Sequence, residues 1–502
     1  MEYHSEKAAS KFDVIESLED TSSLSRESEA SVDDEKKVKD AVRKLDITIL
    51  PIMTMFYFLS FLDRANIGNA RVAGLQKGLH LSDHQYQIAV TITFVPYILS
   101  ELPANLLLRK IGPNILMPTI LTLWGVIVIA QGFVKSYHGL VVARAFLGLM
   151  EGPMFPGIVL YLSGFYTRRE LALRIAFFFS AASLSGAFSG LLAAGISQMA
   201  GVGGKPGWAW IFILEGIFST LVGIVSFFLV PATPMQSRFL TMEQKQIITR
   251  RLQRDRPFEN PLAKFSWRQV WMSVSSPHVL IVFVLYFLGG TNLYGLALFL
   301  PSIVNELGFS ANKSQLLSVG PYAVGFVVTL AIAHISDRYR TRFVPLLGVC
   351  LFAVVGFAMY LAAGNNKHLS YAALYFMVPG VYARTPVIAA WISNNSEPYY
   401  RRATSIAMGF VLTNSGGILS TWLYPSNKGP SYTNTTIMNL SFATISILLA
   451  ILNAATLYYM TKRKERLREK ILAPYATDKD PEGELRAWAE LGDRHPDFHY
   501  VI

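Results

Sequence analysis

Long apolar blocks, parted by short polar stretches, organise this chain. Twelve windows approach the roughly 20 residues that a helix needs to cross a bilayer. The first six run Ile47–Leu62, Tyr86–Leu108, Ile115–Val134, Leu140–Tyr161, Ala172–Ser197 and Trp208–Val230. Six more run His278–Leu300, Leu316–Ile335, Phe343–Ala363, Leu369–Ile392, Thr404–Tyr424 and Ile437–Met460. The pattern predicts an all-α membrane protein, with twelve transmembrane helices in two six-helix halves at 46–231 and 277–460. A basic central loop, 232–276, joins them, and polar tails lie at 1–45 and 461–502. The first tail is rich in Ser, Glu and Lys and lacks a cleavable apolar core, so disorder is expected there and the first window does the targeting. Two halves of similar length suggest a duplicated unit, although the residues alone give no repeat that can be aligned.

Composition agrees. The 502 residues are 52% hydrophobic and 16% charged, against about 25% charged in soluble domains. The single cysteine, Cys350, sits inside an apolar run, which leaves no disulfide framework and no CxxC-type metal cluster. Its expected role is packing, and neither metal nor cofactor is expected. A net charge of +11 would suit nucleic acid, but the basic residues stand in short runs between windows, so they are read as topology and no nucleic-acid partner is expected. Even-numbered loops carry Arg109 and Lys110, then Arg168, Arg169 and Arg174, then Arg338, Arg340 and Arg342, then Arg401 and Arg402, whereas odd-numbered loops are poorer. Both termini and the central loop are therefore expected in the cytoplasm. The sequons at Asn312 and Asn434 then fall outside, where glycosylation is permitted, chance occurrence being the plainer reading.

Ionisable groups inside apolar windows read by default as parts of a transport path. In the fourth window Arg144, Gly148 and Glu151 share a helix face, and Gly152, Pro153, Pro156 and Gly157 interrupt that helix. Arg144 is expected to hold the charge state of Glu151, a permanent buried ion pair being the alternative. Glu101 lies between Pro96 and Pro103 and is either a titrating group or a packing carboxylate. Asp63 and Arg64, adjacent at the outer end of the first window, point apart and are expected to pair with other groups as a structural gate. Glu215, near Trp208 and Trp210, is expected at a helix end. In the second half Tyr286, Asn292 and Tyr294 surround an expected break at Gly289–Gly290, and Asn414 precedes a similar one at Gly416–Gly417. Both clusters are substrate-contact candidates, with packing the alternative. Arg384, flanked by Pro379 and Pro386, offers a fork of donors for a carboxylate, unless it pairs with Glu151 or Glu101.

Several motifs resemble one family. Twelve windows with SDRYRTR at 336–342 look like the major facilitator superfamily. FLDRANIGNARVAGL at 61–75, RAFLGLMEGPMFPG at 144–157, YTRRELALR at 166–174, WAWIFILEG at 208–216, YGLALFLPSIVNELGFS at 294–310 and WISNNSEPYYRRAT at 391–404 are similar to the fungal anion:cation symporters of allantoate, nicotinate and pantothenate. The resemblance covers nearly everything beyond the first tail.

What the resemblance implies is a major facilitator fold and secondary active transport. The expected activity is proton-coupled uptake of a small organic carboxylate by alternating access, in the plasma membrane, with one chain acting as a monomer. It implies proton coupling at Arg144, with Glu151, Glu101 and Asp63 as further candidates, and gating by Asp337, Arg338, Arg342, Arg401 and Arg402. The turn at Asn105–Asn114 lacks an aspartate, so the latch is expected to be asymmetric. The fifth window lacks the Gly-Pro pair of drug:proton antiporters, which favours uptake over export. Export of a secondary metabolite and a non-transporting nutrient sensor are the alternatives. No paired Asp or His suits an intramembrane enzyme.

Overall fold

The structure, a computed structural model, describes residues 5–255, 267–339, 341–364, 366–425, 429, 432–475 and 483–502. Among them every regular element is helical. The first half comprises α1 (Ser5–Val72), the short α2 (Leu75–Gly78), α3 (Asp83–Ile111), α4 (Pro113–Gln131), α5 (Tyr137–Glu151), α6 (Met154–Ser163), α7 (Arg168–Ile196) and α8 (Gly207–Leu229). The central loop carries α9 (Met242–Asp255) and α10 (Trp267–Val274). The second half follows with α11 (Pro277–Glu306), α12 (Ala311–Arg338), α13 (Phe343–Ala362), α14 (Lys367–Tyr382), α15 (Arg384–Asn394), α16 (Tyr399–Ser420) and α17 (Thr433–Arg466). Beyond it lie α18 (Arg468–Leu472) and α19 (Gly483–Leu491).

Taking α5 with α6 and α14 with α15 as broken rods gives twelve crossings. Nine are long and apolar enough by themselves, among the described residues. The others are α3, α16 and the tenth crossing, which is split at Ala383. Local sequence explains where rods start: Ser82 Oγ accepts from Gln85 N while Gln85 Oε1 accepts from Ser82 N, a reciprocal cap on α3.

Four expectations change. Residues 36–45, assigned to a disordered tail, are helical, with Ala41 and Leu45 buried. The first crossing continues to Val72, so Asp63 and Arg64 lie inside it rather than at its end. α11 runs unbroken through Gly289–Gly290 and α16 through Gly416–Gly417. Those glycines serve close packing instead: a Cβ on Gly290 would stand 2.2 Å from Thr413 O, and one on Gly416 2.3 Å from Phe287 O.

Helix packing reveals the repeat that the residues hid. In the first half α1 packs on α7, α3 on α5 and α4 on α8. The second half repeats the same three pairings with α11 on α16, α12 on α14 and α13 on α17. The halves meet along α1 and α11, α7 and α12, and α3 and α16. On the face away from α9 and α10 these seams are tight. A Cβ on Gly68 would lie 2.2 Å from Leu298 O and one on Gly190 2.6 Å from Gln315 O, while Thr91 and Thr421 share a hydrogen bond of 2.6 Å.

Candidate functional site

Midway along the seam, α1 supplies two charges that point apart, as adjacent helix positions must. Asp63 turns into the first half, where Oδ2 accepts from Trp124 Nε1 and Ser219 Oγ, each at 2.8 Å, and Oδ1 from Asn66 Nδ2 at 3.2 Å. It ties α1 to α4 and α8. Glu215, expected at a helix end, is instead buried beside Asp63 and Asn66.

Arg64 turns to the seam. It ion-pairs with Glu151, whose Oε1 also accepts from Ser60 Oγ at 2.7 Å, and its Nη1 donates to Tyr294 Oη of the other half at 2.6 Å. Tyr294 Oη in turn donates to Asn414 Oδ1 at 2.7 Å. The rings of Phe61, Tyr97 and Tyr294 surround the guanidinium at 5.0 to 5.2 Å. This is the correction to the expected Arg144–Glu151 pair: Glu151 takes the arginine of α1, one helix over, because Ser60 and Arg64 present the same face toward α5.

Arg144 lies two turns from Glu151, and its Nε and Nη2 are buried without a hydrogen-bond partner among the described residues. Together with Arg64, Val90, Thr93, Phe94, Tyr97 and Leu298 it lines a small central cavity. Glu101 is buried on α3, one turn past Tyr97. One turn nearer α9 and α10, the Phe155 ring meets that of Phe410 in a tilted contact at 3.9 Å, and Tyr286 meets Phe410 at 5.7 Å. These rings form an aromatic plug on that side of the site.

Other candidates fall elsewhere. Arg384 reaches neither the cavity nor Glu151 nor Glu101; it lies within the second half, where Nη1 donates to Ser446 Oγ at 3.1 Å beside Cys350 and Gly289. Asn292 points away from the seam, to Asn439 O at 3.4 Å. Asp337 pairs with Arg342 at 2.5 Å, Arg402 with Glu397 at 2.8 Å, and Arg338 stands by the Tyr339 ring. Arg401, expected at the gate, is bound instead by residues 490–493 and α10. Asn312 and Asn434 are exposed on the face away from α9 and α10. Sequence reasoning missed Ser60, although its four-residue spacing from Arg64 was a usable signal. It also missed Trp124 and Ser219, which nothing short of the packing connects to Asp63.

The Major Facilitator Superfamily profile matches residues 53–421. The chain belongs to that superfamily. Its relatives include a high-affinity nicotinic acid transporter of Saccharomyces cerevisiae, 35% identical over 92% of this chain and 85% of that one. An uncharacterized transporter of Schizosaccharomyces pombe is 33% identical over 91% of this chain and 89% of its own length. Among solved structures, a bacterial homologue of the human lysosomal transporter Spinster superposes with a TM-score of 0.64 at 14% identity, covering 81% of this chain and 96% of that one. The xylose transporter XylE of E. coli gives 0.61 at 15%, covering 79% and 95%. At those identities the likeness carries the fold alone. The chain is a multi-pass membrane transporter.

Proposed function

We propose that this transporter takes up a small organic carboxylate together with a proton, across the plasma membrane, with the α9–α10 face and both termini in the cytoplasm and one chain acting as a monomer. The observation that carries the reading is the pairing of two buried guanidinium groups, Arg64 and Arg144, around one cavity on the seam between the halves. One of them is already claimed by a carboxylate, Glu151. A substrate carboxylate must compete with Glu151 for Arg64. When Glu151 is protonated, Arg64 becomes free to bind the substrate bidentately while Arg144 adds its unused donors. Proton and anion thus enter together by competition for one cation, which is the physical content of symport here.

Movement follows from the same contacts. The Arg64–Tyr294–Asn414 chain links the halves at the site, so releasing Glu151 also loosens the hold of one half on the other. The plug at Phe155 and Phe410 then opens or closes as the halves rock. The nicotinic acid transporter among the relatives points to a small aromatic or aliphatic monocarboxylate, and the rings of Phe94, Tyr97 and Tyr294 suit a planar one. The test is uptake of labelled nicotinate and other small carboxylates into cells lacking their own permeases. Uptake is expected to rise as external pH falls and to collapse with a protonophore; accumulation indifferent to both would remove proton coupling.

A further inference from the structure

Residues 483–502, expected to belong to a plain polar tail, fold back against the second half on the face that carries α9 and α10. Arg401, 1% exposed at the start of α16, ion-pairs with Asp493 and donates to Leu491 O at 2.8 Å and Glu490 O at 3.1 Å. Its Nε meets Gln269 Oε1 of α10 at 2.6 Å. Lys464, near the end of α17, donates to Asp493 O at 2.8 Å and Phe498 O at 2.7 Å. Just past α15, Asn395 reads the backbone of Val501 in both directions: Oδ1 accepts from Val501 N at 2.8 Å and Nδ2 donates to Val501 O at 2.9 Å. Trp391 Nε1 donates to the same carbonyl at 2.9 Å. In the turn between α12 and α13, Arg342 N and Thr341 Oγ1 donate to Ile502 O at 3.1 and 3.0 Å. His495, fully buried, stacks on Trp488 at 4.0 Å.

Two properties of this arrangement matter. Most of the hydrogen bonds read backbone rather than side chains, as in recognition of an extended peptide by an edge, while Asp493 and Asp497 add ion pairs to Arg401 and Arg468, and Phe498 and Tyr500 lie against the Lys464 ammonium. They also tie the end of α16 to α15, α17 and the α12–α13 turn, and α16 is the helix that carries Phe410 and Asn414 into the central site. A tie at one end of a rigid helix is felt along it.

We propose that residues 483–502 are an intramolecular strap, seated in a peptide-binding groove of Trp391, Asn395, Arg401, Lys464 and the 341–342 turn, and that its seating holds α16 where the opposite face stays closed. Release of the strap frees that end of α16 and shifts the balance toward opening of the far face. The gate arginine Arg401 is thereby controlled by the strap and not by a partner in the first half. The inference rests on the alternating-access reading.

The single cysteine makes the test direct. In a Cys350→Ser background, Ser318→Cys places one thiol in the α7–α12 seam, where Ser318 is 1% exposed and faces Gly190. Its labelling from outside the cell by a membrane-impermeant thiol reagent reports opening of the far face. Deleting 483–502 is expected to raise the labelling rate by about threefold or more. Val501→Pro removes the N–H that Asn395 accepts, without touching the helical bundle, and is expected to do the same. Val501→Ala keeps that N–H and is expected to change nothing. Labelling that stays at its starting rate in both the deletion and Val501→Pro would overturn the strap. Ala311→Cys, exposed on the far face, labels in every background if that face is outside. Its failure to label would reject the orientation alone, and the same comparison in permeabilised cells then decides the strap.

Discussion

Arg64 and Arg384 are both buried guanidinium groups in mid-crossing, one in each half, and they have come to opposite uses. Arg64 stands where the halves meet, paired with Glu151 and hydrogen-bonded across the seam to Tyr294. Arg384 stands inside its own half, beside Cys350, with Ser446 Oγ at 3.1 Å. Depth in the membrane is the same kind of cost for each. What separates them is direction: one faces the boundary between the halves, and the other faces helices of its own half.

The sharpest way to break this contrast is Arg64→Ala. It leaves Glu151 buried without its cation, a loss of about 3–5 kcal/mol, and uptake is expected to vanish together with a fall in thermal stability of the purified protein. Arg64→Lys should restore stability better than transport, since an ammonium cannot bind two carboxylate oxygens side by side. Next in size, Glu151→Gln is expected to exchange substrate across the membrane without concentrating it; a mutant that still accumulates substrate against a gradient would move coupling to Glu101 or Asp63.

Arg144 and Arg384 give the direct comparison. Arg144→Ala should weaken apparent affinity for the carboxylate by about tenfold or more, the roughly 1.5–3 kcal/mol of a charged hydrogen bond. Arg384→Ala should leave affinity within about twofold, because no contact joins it to the cavity. Equal losses in the two, measured as Km at matched surface abundance, would erase the distinction drawn here. A smaller effect is expected from Asp337→Asn, which removes the pair with the backbone-anchored Arg342 and should slow turnover with Km unchanged.

The smallest effect concerns pH at the strap. Burial pushes the Asp493 carboxyl up to about 6, against the lowering pull of Arg401, Arg494 and Lys464. A value raised above that of the free carboxyl means that the seated strap holds its proton more tightly than the released one. Seating is therefore expected to strengthen as pH falls through about 6 and to weaken as it rises. The difference in protease protection of 483–502 between the unaltered chain and Asp493→Asn, at pH 5 and at pH 7.5, isolates this contribution from that of the other ionisable groups of the strap.

The hydrophobic pattern pointed to the fold class, the twelve crossings and the split into two halves, because a helix that crosses a bilayer must be long and largely apolar and the chain spells each one out locally. It also pointed to the buried charges of the crossings: Glu101, Arg144, Glu151, Glu215 and Arg384 stand inside apolar blocks and Asp63 and Arg64 at the end of the first. What it could not determine was who faces whom. Spacing along one helix put Arg144 with Glu151, whereas packing gave Glu151 to Arg64 from 87 positions away. Glycines that looked like breaks in α11 and α16 proved to be contact points, since a glycine in sequence does not say whether a neighbour's backbone is 2 or 10 Å off. The seat of residues 483–502 lay beyond reach for the same reason: much of what Trp391, Asn395, Arg401 and Lys464 contact there is backbone, and backbone is identical at every residue. A charge buried in a membrane is announced by its own neighbourhood in sequence, but its partner is chosen by helices that the chain brings together only when all of them are packed.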